Sequence, residues 1–538
     1  MAFTSFYFLI FIAAVVGCYY IVPQKVRWIV LLAASYAFYL ISSPKTFVFI
    51  LFTTVVTFFG GKYIGRLNNE HKEYLAVHKN ELSRDEKKEL KAAVKKRKRK
   101  MVFLVLLADF GVLAVLKYFR YYIELLAQSY AGLQLDMGVL IPLGISFYTF
   151  QSAAYIIDLY RSKIDADTSL PRFALFLSFF PQIIQGPIAR YDQLAAQLYE
   201  GHRFSYTNFT HGMQLILWGF FKKLVIADRV AILVSQVFDN YGDYHGAIVF
   251  AALLGYSVQI YADFSGGIDI ARGVAGMMGI DMAHNFMRPY FSDSISEFWR
   301  RWHMSLSFWC RDYIFYPISL SKFFGKAGKK LRSVLGDRIG KLFPVLVAQM
   351  ATFITIGIWH GAEFKYIAYG LYNGGIIILG LLLEPQLKKM VQLLHINVKS
   401  SAWKVFCIVR TFFLIVVGRM FPKAESFSAA MSMYASIIGI GAGADAAANA
   451  AGSGDAGFLT TLLSLGLDWG DFVILLLGCI VWFRISWLQE KGVKIRESMG
   501  EMTLAKRWAI LLLGFAAVLV LGVYGPGYDA SAFIYRGF

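Results

Sequence analysis

Cysteine is scarce. Cys18, Cys310, Cys407 and Cys479 are the only four in 538 residues, and no two stand in a Cys-x-x-Cys pair. That spacing offers neither a zinc ligand set nor a disulfide framework, and each thiol reads as a small buried hydrophobe. Charge is thin as well, at 17% Asp, Glu, Lys and Arg, against about a quarter in soluble domains. Residues 1–14 contain no Lys or Arg. Val15-Val-Gly-Cys18 therefore lacks a signal-peptide n-region, and residues 4–22 read as an uncleaved first span. No internal repeat is evident, which weighs against a transporter of a lipid-linked sugar, since transporters often carry repeat symmetry.

What is present is apolar side chain almost from end to end. The chain is 57% hydrophobic and 17% aromatic, with a mean hydropathy of +0.53. Apolar stretches lie near 4–22, 26–42, 46–60, 101–117, 138–159, 211–238, 246–270, 342–360, 364–383, 403–421, 471–488 and 508–524. About 20 residues are needed to cross a bilayer as a helix. The pattern predicts an all-α, polytopic integral membrane protein, one membrane domain over residues 1–538, with about 11–13 spanning or re-entrant helices. Residues 171–187 and 295–318 mix aromatics, Pro, Arg and Ser, as re-entrant or interfacial segments do.

The net charge of +19 is first a topology signal, and no nucleic-acid partner is expected. Residues 61–100 hold 14 Lys and Arg, ending Lys95-Lys-Arg-Lys-Arg-Lys100. This predicts a basic cytoplasmic loop, helical from Glu81 to Lys100, touching anionic lipid. Three spans precede it, which places the N-terminus outside. The basic stretch Lys491–Arg507 is likewise inside, and the one span after it puts the tail, residues 525–538, outside. Residues 441–457 are low-complexity Gly, Ala, Ser, Asn and Asp, and read as an external loop.

Two histidines sit in apolar surroundings, each preceded by a tryptophan: Trp302-His303 and Trp359-His360. Ionisable groups at membrane depth are functional candidates, and imidazole moves protons near neutral pH. Ser294-Ile-Ser-Glu297 has capping-box spacing. A helix begun there places Trp299, His303 and Leu306 on one face, flanked by Arg300 and Ser307. That face suits either a phosphate or carboxylate ligand, such as the pyrophosphate of coenzyme A, or anchoring among headgroups. The apolar run from Leu342 to Trp359 ends at His360-Gly361, where a helix C-terminus favours the protonated imidazole. His71, His78, His202, His211, His245, His284 and His395 lie in or near polar connections and carry no such signal.

Several segments in order closely resemble the membrane-bound O-acyltransferase (MBOAT) family, in its bacterial polysaccharide branch. They are Leu143-Gly-Ile-Ser-Phe-Tyr-Thr-Phe-Gln151, Phe180-Pro-Gln-Ile-Ile-Gln-Gly-Pro-Ile-Ala-Arg190 and Phe221-Lys-Lys-Leu-Val-Ile-Ala-Asp-Arg229. Further matches are Gln259-Ile-Tyr-Ala-Asp-Phe-Ser-Gly-Gly-Ile-Asp269, Asn285-Phe-Met-Arg-Pro-Tyr290, the His303 segment with Arg311-Asp-Tyr313, and Ile358-Trp-His-Gly361. The chain departs from the branch at Phe264-Ser-Gly-Gly-Ile-Asp269, usually Phe-Ser-Gly-Tyr-Ser-Asp, and at Met420-Phe-Pro-Lys-Ala424, usually Phe-Phe-Arg-Ala.

The resemblance implies a helical membrane fold with a central tunnel. It makes His360 the catalytic histidine and His303 the second active-site position, with Trp299, Arg300, Trp302, Ser307, Asp312, Trp359 and Asp263 around donor or substrate. It implies no bound cofactor and no metal. Acetyl-CoA is the expected acyl donor, with a carrier-protein thioester of D-alanine or another acyl group for a teichoic acid as the alternative. A cell-surface polysaccharide is the expected acceptor, and a secreted or membrane-anchored SGNH-hydrolase-like transferase the expected partner, in a bacterial cytoplasmic membrane. The last residues, Phe533-Ile-Tyr-Arg-Gly-Phe538, resemble the Phe-Ile-Tyr-x-x-Phe tail of a small peptide that accompanies teichoic-acid D-alanylation. That resemblance makes Tyr535 an acyl relay.

Overall fold

The architecture comes from a computed structural model that describes residues 3–119, 121–123, 126, 129, 142–183, 185–440 and 455–524. Among the described residues every regular element is helical. Among the described residues nine helices are long and apolar enough to cross a membrane: Gln24–Ser42, Pro44–Val77, Arg84–Ile123, Ala247–Met277, Asp337–His360, Phe364–Leu393, Ser401–Lys423, Trp469–Glu490 and Leu504–Leu521. The protein is thus a multi-pass, all-helical membrane protein. Phe6–Ile21, the expected first span, is a shorter apolar helix of 16 residues.

The chain forms two compact units, Met1–Met213 with Ala271–Ala283, and Gln214–Ile270 with His284–Phe538. In the first unit, Ser5 opens the first helix by accepting from the Phe8 N–H at 3.3 Å. The basic segment is helical over more of its length than the expected stretch Glu81–Lys100. The helix Phe47–Val77 runs straight out of its apolar half, and a second helix, Arg84–Ala114, carries the Lys95–Lys100 cluster into its own apolar half. No proline interrupts either helix, and Ser83 and Glu86 form a full capping box at the second start, so helix is the cheapest conformation for this charged sequence. Where these helices pack, Asp109 is buried and accepts from Thr57 at 3.0 Å and from Ser152; Thr57 and Ser152 also bond at 2.6 Å.

The second unit contains the remaining long helices. The apolar run 211–238 does not form one α-helix: Tyr206–Phe220 passes into a π-helical stretch, Phe221–Ala227, and then into Asp228–Asp239. Residues 171–187 and 295–318 form short helices rather than spans, among them Leu170–Ser178, Ile295–Arg301 and Met304–Cys310. Of the low-complexity segment, 441–454 lies outside the described residues, while residues 455–457 open the helix Asp455–Ser464.

Gly219 and Gly266 mark a close helix approach in this unit. A Cβ on Gly219 would stand 2.6 Å from the Gly266 carbonyl oxygen and 2.7 Å from Ile270 Cγ1. Small residues at such crossings let backbones meet without voids. Gly219→Leu is expected to lower stability by about 1–3 kcal/mol through overpacking, read as a fall in the thermal unfolding midpoint in detergent.

Candidate active site

His303 is not inside a helix. The Ser294 side chain starts a helix as its spacing predicts, accepting from Glu297 N at 3.3 Å, but that helix, Ile295–Arg301, stops after two turns. Trp302 is extended, and His303 adopts φ 44°, in the left-handed region, as the residue before Met304–Cys310. The expected single face of Trp299, His303 and Leu306 is therefore broken in the middle. A non-glycine residue in this region is strained and persists only where its surroundings over-determine it.

Asn285 supplies that determination. Its carbonyl oxygen accepts from Met304 N at 2.9 Å, and its Oδ1 accepts from Ser305 N at 2.9 Å. The same Oδ1 lies 3.2 Å from His303 Nδ1. Since Oδ1 is an acceptor, Nδ1 must carry the hydrogen, which leaves Nε2 as the acceptor nitrogen of the neutral ring. His303 is 2% exposed. Burial pushes its pKa below the ordinary histidine value, because a low-dielectric interior disfavours the imidazolium.

His360 ends the helix Asp337–His360, as the Gly361 stop predicts. Gly361 acts here by its size, since it is extended at φ 177°. A Cβ on it would meet the Tyr366 ring at 2.3 Å, and one on Gly357 would meet the Tyr366 carbonyl at 2.4 Å. The two glycines thus admit the start of Phe364–Leu393 against the end of the His360 helix. Tyr366 then stacks on the His360 imidazole, with centroids 6.2 Å apart and planes 15° apart, and Tyr369 meets it edge-on at 5.8 Å.

Trp359 joins the two histidines. Its ring lies 4.7 Å from the His360 ring and 5.9 Å from the His303 ring. Trp299 packs on Phe353 at 5.2 Å and on Tyr369 at 6.4 Å, which extends the same aromatic wall. Trp302 is buried against Phe286, and the Arg419 guanidinium lies over its ring at 4.1 Å. Both tryptophans of the wall present indole N–H donors, and that of Trp299 is buried with no partner among the described residues.

The other expected residues take varied places. Ser307 donates to the Trp302 carbonyl at 3.3 Å and braces the helix junction. Asp312 accepts from Arg311 Nε at 2.9 Å. Arg300 is exposed, so no burial obliges it to find an anion. Its neighbour Arg301 instead bonds Glu490 at 3.0 Å and Glu297 at 2.5 Å, and Glu490 also takes Arg288 at 2.6 Å. Asp263 is buried and paired with Lys223 at 2.6 Å. Tyr535 lies outside the described residues. Sequence reasoning did not single out Asn285 or Arg419 as site residues. Asn285 stands 18 positions before His303, and no local spacing joins them.

Two imidazoles thus stand against one tryptophan within the second unit. Residues 160–336 match the family described as MBOAT, the membrane-bound O-acyltransferase family. The probable alginate O-acetylase AlgI of Pseudomonas aeruginosa is 32% identical over 448 residues, covering 82% of this chain and 75% of that one. A peptidoglycan O-acetyltransferase of Helicobacter pylori is 28% identical over 370 residues, covering 64% and 65%. A teichoic acid D-alanyltransferase of Bacillus subtilis is 31% identical over 287 residues, covering 51% and 67%. The chain belongs to the membrane-bound O-acyltransferase family, and it is an acyltransferase.

Asn285→Ala removes the acceptor that fixes the His303 tautomer. The loss of a buried hydrogen bond costs about 1–3 kcal/mol, so acyl transfer is expected to slow about ten-fold or more. Asn285→Asp keeps an acceptor at Nδ1 and is expected to retain more activity than the alanine variant, measured as turnover of a thioester donor.

Proposed function

We propose that this protein moves acetyl groups from cytoplasmic acetyl-CoA across the bacterial cytoplasmic membrane for O-acetylation of a cell-surface or extracellular polysaccharide. The observation that carries the reading is the pair of buried imidazoles held against Trp359 in a chain similar over most of its length to an alginate O-acetylase.

The step is a transesterification. A hydroxyl oxygen attacks the thioester carbonyl carbon, an oxyanion forms and collapses, the C–S bond breaks, and an ester and a thiol result. His360 takes the hydroxyl proton and returns it to the departing sulfur. Its place at a helix C-terminus suits it to hold that proton, because the negative end of the helix dipole favours imidazolium. His303 has its one N–H committed to Asn285 in the neutral form. Its Nε2 therefore accepts a hydrogen bond and orients the acceptor hydroxyl, while the indole N–H of Trp299 is the donor on offer to the oxyanion.

In this reading both termini face outward, Tyr535 on the tail receives the acyl group first, and a secreted or membrane-anchored SGNH-hydrolase-like partner passes it to the polymer. D-alanyl transfer from a carrier-protein thioester is the second reading, favoured by the similarity to a teichoic acid D-alanyltransferase.

Purified protein incubated with acetyl-CoA, beside His360→Ala, is expected to carry an acetyl adduct on Tyr535 that the variant lacks, seen by mass spectrometry of the C-terminal peptide. Acetyl turnover without an adduct would remove the relay and leave direct transfer. No acetyl turnover at all would move the donor to a carrier-protein thioester.

A further inference from the structure

The second unit buries a set of charges that the transfer step does not use. Lys222 and Lys223 are consecutive, and 3% and 1% exposed. Lys222 Nζ donates to Asp269 at 2.7 Å and to Ser265 at 2.9 Å. Lys223 Nζ lies 2.6 Å from Asp263 and 2.8 Å from Asp228. Both lysines belong to the π-helical stretch Phe221–Ala227, and three of their partners, Asp263, Ser265 and Asp269, belong to the helix Ala247–Met277.

The π geometry explains the pairing within its own segment. Lys223 and Asp228 are five residues apart, and a π-helix bonds i to i+5, which brings this spacing together where an α-helix brings i+4. π-Bulges are costly and concentrate at functional sites. Gly266 completes the arrangement: a Cβ there would sit 2.9 Å from the Gly219 carbonyl oxygen, so its lack of a side chain lets the chain that leads into the lysine pair lie against the partner helix. Buried charges of this kind are expensive unless paired, so they fix one register between the two segments and oppose any slip.

The residue between Asp263 and Ser265 is Phe264, which is fully buried. Its ring meets the His303 imidazole edge-on, with centroids 4.9 Å apart and planes at 89°, and meets Phe286 at 5.0 Å. The residues on both sides of Phe264 are thus bonded to lysines, and its ring forms one wall of the imidazole.

We propose that the π-helical lysine pair is the positioning device for His303. Lys223, held between Asp228 and Asp263, sets the placement of Phe264, and Phe264 in turn holds the His303 ring in the orientation that its strained backbone presents. Asp263 and Lys223 are positioning residues that touch neither donor nor acceptor. The inference rests on the acyl-transfer reading only for its kinetic consequence; its geometric content stands on the ion pairs and the ring contact.

The test uses the full chain in detergent or nanodiscs, with Lys223→Met, Lys223→Arg, Phe264→Leu and the double variant Lys223→Met/Phe264→Leu. Phe264→Leu leaves every ion pair in place. It is expected to lower thioester turnover about ten-fold, with donor KM changed less than about two-fold and the unfolding midpoint kept near wild type. Lys223→Met is expected to give a similar fall in turnover, with Lys223→Arg recovering part of it. The double variant should be little worse than either single one, since residues acting in one line are not additive.

A second readout needs no activity. The imidazole nitrogens of His303, labelled with 15N and assigned through His303→Gln, should shift in both single variants while Asn285 still holds Nδ1–H. Wild-type turnover with Phe264→Leu overturns the proposal. So do multiplicative losses in the double variant, or unchanged His303 resonances in Lys223→Met. If Lys223→Met does not fold, Lys223→Arg and Phe264→Leu decide the matter alone. If wild-type protein turns over no thioester, the donor reading fails, and the resonances still decide the positioning role.

Discussion

A charge inside a membrane protein has no water to fall back on, and the second unit is organised around that condition. Lys223 carries an ammonium that is almost wholly enclosed, and it is tolerable there because two carboxylates lie within hydrogen-bond distance. Each carboxylate comes from a different segment, so satisfying one cation ties the π-helical stretch both to its own continuation and to the helix Ala247–Met277. Removing one member of such a set leaves the others uncompensated, and for that reason the pairs bind the segments more tightly than their net Coulomb energy alone would. The aromatic wall around His303 inherits the result. Phe264 is placed by its neighbours' bonds, and His303 stands against it.

The same economy appears at the two histidines. His303 spends its only N–H on Asn285, which also accepts from the two backbone N–H groups that follow it, those of Met304 and Ser305. A strained residue, its tautomer and its orientation are thus settled by one amide side chain. His360 is held in another way: two glycines let a tyrosine stack on it, and a helix end supplies the electrostatic bias. One imidazole is thus held by a hydrogen bond and the other by packing.

Much of this was legible in the sequence. Long apolar runs and scant charge gave the helical membrane class, and the Trp-His pairs gave the two imidazoles, because both signals are local. The helix end at His360-Gly361 was legible for the same reason. The break at His303 was not: nothing in Glu297-Phe-Trp-Arg-Arg-Trp-His303 interrupts a helical pattern, and the kink is imposed by Asn285, 18 residues away. The run from Glu81 to Lys100 was legible as helix, but the continuation of Phe47–Val77 past residue 60 was missed, because its charged half carries no hydropathy signal although its helix propensity is high. Asp263 could be seen as a functional candidate, but its partner Lys223, 40 positions away, had to be found in the fold.

Two helices of 31 residues each, Phe47–Val77 and Arg84–Ala114, are about 46 Å long at 1.5 Å per residue, about 16 Å more than a bilayer's hydrocarbon core. The surplus is accommodated within the basic half of the hairpin. The hairpin sorts its cations along its axis: Lys100 adjoins the apolar half, while Lys72 and Arg84 lie near the turn that joins the two helices. At about 1.5 Å per residue the two groups are separated by more than one screening length of about 8 Å, so they act as independent charges.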